Sequence, residues 1–237
     1  SPMGDASTDQ PLRDRVVLVT GAAEGLGRAV ALGAAARGAT LVLCDRRQLD
    51  LEPLYDAIES AGGAEPAILP LDLESTDADG FGTAADLVGD HFGRLDGLVH
   101  CAAFAPFLSR IDDYDAGEWE RVLRINLTAP FLLTQACLPL LRASPEAALV
   151  FTSDRVGRTG RAYWGAFAAA KFGIEGLAQV LAEELGGSSA IRVACIDPGV
   201  LRTGLRARLY PGEDPMTLPA PESAVPRYVE LLTPNGP

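Results

Sequence analysis

Short β-branched and apolar runs alternate along this chain with alanine-rich stretches of helical length, and few folds accept that alternation. Arg15–Thr20, Thr40–Cys44, Ala67–Pro70, Leu98–Ala102, Leu149–Thr152 and Arg192–Ile196 read as strands. Between them Leu26–Arg37, a segment ending near Gly62-Gly63, Asp79–Phe92, Trp119–Arg142 and Gly165–Leu185 read as helices. Strands joined through helices run parallel, because a crossover brings the chain back to the same edge of the sheet. Leu98–Ala102 and Leu149–Thr152 are nearly all apolar, as strands covered on both faces should be. The pattern predicts an α/β fold, a doubly wound parallel sheet with helices on both faces.

A chain of 237 residues, 48% hydrophobic, is long enough to bury roughly 70% of its unfolded surface in one domain. No repeat or linker marks a second one, so residues 12–237 are expected to form a single domain. Residues 1–11 are expected to be a flexible tail, with Ser1-Pro2 ahead of Met3 reading as a remnant of cloning. A net charge of −12 argues against nucleic-acid or anionic-membrane partners, which need clustered cations. No run reaches the roughly 18 apolar residues of a membrane span. Cys44, Cys101, Cys137 and Cys195 lie in or beside apolar runs without a C-x-x-C pair, which suits reduced thiols and a cytoplasmic location. No metal ligand set is assigned.

Thr20-Gly21-Ala22-Ala23-Glu24-Gly25-Leu26-Gly27 follows the first strand and opens the first helix. Gly21 permits a tight turn, Gly25 a close approach of pyrophosphate, and Gly27 close packing of helix on strand. The free N–H groups of that helix then face phosphate charge, so Gly21, Glu24, Gly25, Leu26 and Gly27 are assigned to a dinucleotide in a Rossmann-type sheet. Asp45 ends the second strand, where a carboxylate accepts hydrogen bonds from ribose hydroxyls and repels a 2′-phosphate. Glu24 adds to that repulsion. Arg46 and Arg47 point the other way, since guanidinium forks suit phosphate. The balance favours NAD over NADP.

The G-x-x-x-G-x-G spacing resembles the short-chain dehydrogenase/reductase family, and so does Phe167-Ala168-Ala169-Ala170-Lys171, which stands where the family reads Tyr-x-x-x-Lys. Lys171 is the only lysine in the chain. The resemblance spans about Arg13 to Leu232 and implies further cofactor contacts. Asp72-Leu73 resembles the family's adenine contact after the third strand. His100-Cys101-Ala102-Ala103 replaces Asn-Asn-Ala-Gly, with Cys101 beside the cofactor and His100 a core histidine. Asp197-Pro198-Gly199-Val200-Leu201-Arg202-Thr203 resembles the turn whose Pro198, Gly199, Val200 and Thr203 meet the nicotinamide amide.

In the family, tyrosine is the acid/base, lysine lowers its pKa and holds the ribose, serine orients the carbonyl, and asparagine supports a water relay. Asn126 and Lys171 match; Phe167 takes the tyrosine position and Asp154 the serine position. Phenylalanine has no proton to give, and a placed proton donor is worth about 10²–10⁴-fold. An anionic Asp154 repels a developing alkoxide. The resemblance therefore implies a divergent bacterial member, impaired in hydride transfer and acting as a binding or regulatory protein. Alternatives are an active oxidoreductase on a small apolar carbonyl or alcohol using Tyr163, four residues before Phe167, or a non-redox enzyme using an Asp154–Lys171 pair. Ser153, one residue early, is expected to point to the opposite face. The proline-rich stretch Tyr210–Pro226 reads as part of a substrate flap near residues 204–222, leading to a last short helix. Tyr163, Trp164 and Leu205–Leu218 are expected to line an apolar pocket. The family's seventh strand is expected to be missing. A homodimer or homotetramer through the long helix after Asn126 and the helix bearing Lys171 follows from resemblance alone.

Overall fold

The structure is a computed structural model and describes residues 10–187 and 189–237. Most of the expected tail, residues 1–9, lies outside the described residues. Strands β1 (Val16–Thr20), β2 (Thr40–Asp45), β3 (Ala67–Pro70), β4 (Gly97–His100), β5 (Ala147–Thr152) and β6 (Ile191–Ile196) form one parallel sheet in the order β3-β2-β1-β4-β5-β6. Helices α1 (Gly25–Ala36), α2 (Gln48–Ser60), α3 (Ala78–Phe92), α4 (Ala116–Leu123), α5 (Ala129–Arg142) and α6 (Gly165–Gly186) supply the crossovers. Short helices α7 (Gly204–Leu209) and α8 (Val225–Leu232) follow β6.

Period-two alternation along the strands divides the core between the two faces. From β1, Leu18 packs with Phe81, Leu98, Leu133 and Ile174 on the α3/α5/α6 face, while Val17 and Val19 pack with Val30, Leu41 and Leu54 on the α1/α2 face. Both layers are apolar, as the near-continuous hydrophobic strands predict. The strand order reverses between β1 and β4, and in such sheets ligands bind in the crevice beyond the strands' C-terminal ends at that reversal.

Two expectations change. The stretch Trp119–Arg142 is helical without a break but not uniform: a π segment over Arg124–Thr128 joins α4 to α5, and Pro130, which has no N–H, sits in the first turn of α5. The expected flap is a run of short ordered elements. α7 is followed by 3₁₀ turns at Pro215–Thr217 and Pro221–Ala224, and Arg202 fastens this stretch by donating to the carbonyls of Pro215 and Leu218.

Candidate functional site

The turn between β1 and α1 closes against the far side of the sheet reversal. Gly21 takes φ +63°, and a Cβ there would lie 2.8 Å from the Ala102 Cα, just beyond β4. Gly27 is tighter still, since its Cβ would fall 2.1 Å from the Gly21 carbonyl oxygen. Either side chain would push the turn off the sheet. Glu24 occupies the N-cap of α1 without a side-chain cap bond, and no acid sits in the first turn, so the helix presents its free N–H groups to the crevice.

Asp45 has a structural task. One of its carboxylate oxygens accepts the Ala23 N–H at 3.0 Å and the other the Arg46 N–H at 2.7 Å, which ties the glycine turn to the end of β2. Arg47 turns away in a bidentate pair with Asp50 at 2.9 and 3.0 Å. Arg46 lines the crevice, with only a long 3.7 Å approach to Asp72.

The crevice opens into a cavity of about 640 Å³, within the range of small-molecule sites. Its walls carry Gly21, Glu24, Gly25, Leu26 and Gly27 at one end, with Asp45, Arg46, Asp72 and Leu73 beside them. Cys101, Pro198, Gly199, Val200 and Thr203 also line it, with Thr203 beside Gly25, and so do Asp154, Phe167 and Lys171 at the β5–α6 end. Most of the residues singled out from sequence thus line one cavity. These residues fit a dinucleotide: Gly21 and Gly27 lie where a Cβ would clash, an uncapped helix terminus faces the crevice, and the Arg46 guanidinium stands near Asp72.

At the β5–α6 end Thr152 is a junction. Its carbonyl accepts the buried Lys171 Nζ at 2.9 Å, and its hydroxyl shares a 2.7 Å hydrogen bond with the buried Tyr228 hydroxyl, fixing α8 to the sheet. Burial lowers the Lys171 pKa, although Asp154 opposes the shift. The Phe167 ring lies one turn earlier on the same helix, 5.4 Å from the ammonium. Asp154 caps the 3₁₀ turn Arg155–Gly157 by accepting the Val156 N–H at 3.0 Å. Burial raises its pKa, with that hydrogen bond and Lys171 acting in opposition. A carboxyl so placed is easier to protonate than the anion expected from sequence, and the protonated form donates hydrogen bonds.

Several expected roles do not match this geometry. Tyr163 precedes the first residue of α6 by two positions, has φ +77°, is 55% exposed and is absent from the cavity wall. The helical spacing that would have aimed it inward does not exist. Asp154 and Lys171 form no ion pair within 4 Å, because each is engaged by backbone. The Asn126 side chain is also fully used: its amide donates to the carbonyls of Phe104 and Val122, and its oxygen accepts the Phe104 N–H. It clamps the segment after β4 to the π-turn and does not line the cavity. Ser153 turns its hydroxyl toward Gly157, whose Cβ would meet it at 2.9 Å. His100 stacks on Phe151 at 4.8 Å and bonds Thr134, and burial pushes its pKa down to about 3, which keeps it a neutral core residue. The Cys101 thiol is pushed up to about 12 by burial. Trp164, Leu205 and Leu209 line the cavity, but nothing between residues 210 and 218 does.

Sequence reasoning missed the arginines of this end. Arg155, Arg161 and Arg208 all reach the wall, and only the preference for arginine over lysine hinted at them. Among the described residues no helix is long and apolar enough to cross a membrane, and no group of three potential metal ligands occurs.

Comparison with known proteins supports the same reading of the chain. The family model for short chain dehydrogenases matches residues 15–214. The uncharacterized oxidoreductase YciK of Escherichia coli K12 is 41% identical over 221 residues, covering 93% of this chain and 87% of that protein. A short chain dehydrogenase structure from Pseudomonas syringae superposes with a TM-score of 0.94 at 44% identity, covering 96% of this chain and 92% of the other. A structure from Escherichia coli CFT073 complexed with NADPH gives a TM-score of 0.92 at 40% identity, covering 96% and 94%. Sheet order, glycine turn and these matches agree: the chain belongs to the short chain dehydrogenase family.

Proposed function

We propose that this protein is an NADP(H)-dependent oxidoreductase that interconverts a carbonyl and an alcohol, with Asp154 as its proton-donating group. The observation that carries the reading is the single cavity joining the glycine turn and Arg46 to Lys171 and Asp154. Bound there, the dinucleotide supplies hydride chemistry at its nicotinamide ring. The glycine turn and the α1 terminus hold its phosphates, Asp72 and Leu73 flank the adenine, Lys171 holds the ribose, and Pro198–Thr203 orients the amide. Asp154 in its protonated form donates to the substrate oxygen and keeps a negative charge from building there. Phe167 and Trp164 exclude water from that end.

NADP(H) replaces NAD in this reading for a local reason. Asp45 already accepts a backbone N–H on each carboxylate oxygen, so a ribose hydroxyl would have to share it. Arg46 is the guanidinium left facing the crevice. The NADPH complex of the 40% identical structure supports the choice. A titration with NADPH and NADH, following energy transfer from tryptophan, tests it. NADPH is expected to saturate in the micromolar range and NADH at least about tenfold higher, the value of one charge-assisted phosphate contact. Failure of both to bind sinks the reading.

A second reading, a cofactor-binding protein without turnover, is favoured by one observation: the Phe167 ring, with no ionisable group, occupies the position beside Lys171. Steady oxidation of NADPH by any carbonyl substrate excludes it. The assembly proposed with either reading is a homodimer or homotetramer through α5 and α6, whose Phe131, Phe172 and Val180 are exposed. Light scattering that returns a monomer mass would remove it.

A further inference from the structure

Among the described residues, three guanidinium groups that line the cavity have no partner. Arg155 lies in the turn after β5, Arg161 in the loop before α6, and Arg208 in the last turn of α7; all three are exposed and line the same cavity. Neighbouring arginines are engaged. Arg121 pairs with Glu74 at 2.9 Å, Arg158 with Glu175 at 2.7 Å, and Arg206 with Glu213 at 3.0 Å while stacking on Tyr210. Among the described residues Arg155, Arg161 and Arg208 have no carboxylate within 4 Å and no side-chain hydrogen bond, in a chain with 32 acidic residues against 20 basic ones. Guanidinium groups on a cavity wall attract and orient oxyanions. Beside them, Trp164, Phe167 and Leu209 give the wall an apolar, largely buried surface.

Resting on the oxidoreductase reading above, we propose that the substrate is an amphipathic anion. Its apolar stem carries the reacting carbonyl or alcohol along Trp164, Phe167 and Leu209, and its terminal carboxylate or phosphate is held by Arg155, Arg161 and Arg208. The expected small apolar ligand thereby gains a charged end. The dinucleotide's own phosphates are served by the glycine turn and the α1 terminus, which leaves these three arginines to the substrate.

The test titrates the NADPH-loaded protein with hexanoate, hexyl phosphate and hexanamide, read by cofactor and tryptophan fluorescence. Either anion should bind at least about tenfold tighter than the amide, and the tighter of the two identifies the head group. Arg155→Ala, Arg161→Ala and Arg208→Ala should each weaken the anion about tenfold while leaving NADPH affinity unchanged. Equal binding of the amide, no binding of any probe, or variants that lose NADPH affinity as steeply as anion affinity would overturn the proposal. If NADPH itself does not bind, the cofactor reading falls. The same titration on the unloaded protein then decides this one: an anion preference that the variants remove sustains it, and no preference overturns it.

Discussion

The two ends of the cavity solve different problems. At the β1–β2 end, function depends on backbone: Gly21 and Gly27 are glycines because a Cβ would strike Ala102 or the Gly21 carbonyl, and Asp45 fixes the turn through two N–H groups. At the β5–α6 end it depends on which side chain stands where. There Lys171 and Asp154 are held by Thr152 and Val156, a phenylalanine faces the ammonium, and unpaired arginines line the wall. A backbone site tolerates few changes and leaves a motif. A side-chain site can exchange its chemistry while the fold stays the same.

The sharpest way to break this comparison is to restore the family's pair. Phe167→Tyr with Asp154→Ser puts a phenol one turn from the Lys171 ammonium, which lowers a phenol's pKa toward working pH. If the cofactor end is intact, this double variant should turn over a carbonyl substrate about 10²–10⁴-fold faster than Asp154→Ser alone, with NADPH affinity unchanged. A double variant that binds NADPH and gains nothing would show that divergence extends beyond these two positions.

Asp154 alone gives the next largest effect. The proposed acid works while protonated, and burial raises its pKa, so its contribution is full below the folded value and is lost as pH rises through it. Reduction rates should therefore fall with rising pH, and Asp154→Asn should lower the low-pH rate by about 10²-fold and flatten the profile. Stability moves the same way: the folded chain holds this proton more tightly than the unfolded one, so its contribution declines as pH rises from the unfolded carboxylate value. Asp154→Asn removes that decline. An unchanged rate profile in the variant assigns the proton to another group.

A milder change sharpens the cofactor end. Arg46→Ala should weaken NADPH about tenfold and leave NADH nearly untouched, because only the 2′-phosphate is lost as a partner. Equal losses for both would make Arg46 a general positioning residue.

How legible each end was from sequence follows from the same division. The parallel sheet and most of the cofactor wall could be read because apolar strands, glycines at fixed spacing and a strand-end acid have one economical explanation. Asp45 lies at the end of β2 as read, but sequence could not show that its carboxylate oxygens accept the Ala23 and Arg46 N–H groups. Tyr163 failed because α6 begins two residues later than its i,i+4 relation to Phe167 requires. The Asp154–Lys171 pair failed because capping and a β5 carbonyl compete for those groups. Hydrogen-bond competition of this kind is a tertiary property, and it also hid the unpaired arginines, whose meaning lies in the partners their neighbours already have.

The smallest expected effect concerns Lys171, the residue that joins the two ends. Its pKa is lowered by burial, so in the unliganded protein the folded state gives up this proton at a lower pH than the unfolded chain does. The unfolded state then binds more protons between the lowered value and the ordinary lysine value near 10.4, and stability should rise with pH across that window. One proton sets a ceiling of about 1.4 kcal/mol per pH unit. Lys171→Met keeps the stem's packing, leaves the Thr152 carbonyl without its donor and abolishes this rise. Denaturant midpoints of the two proteins from pH 7 to 10 give the difference curve directly. A curve without slope would mean that the ammonium stays hydrated in the cavity, and that the buried cation is not what separates the ribose side from the substrate side.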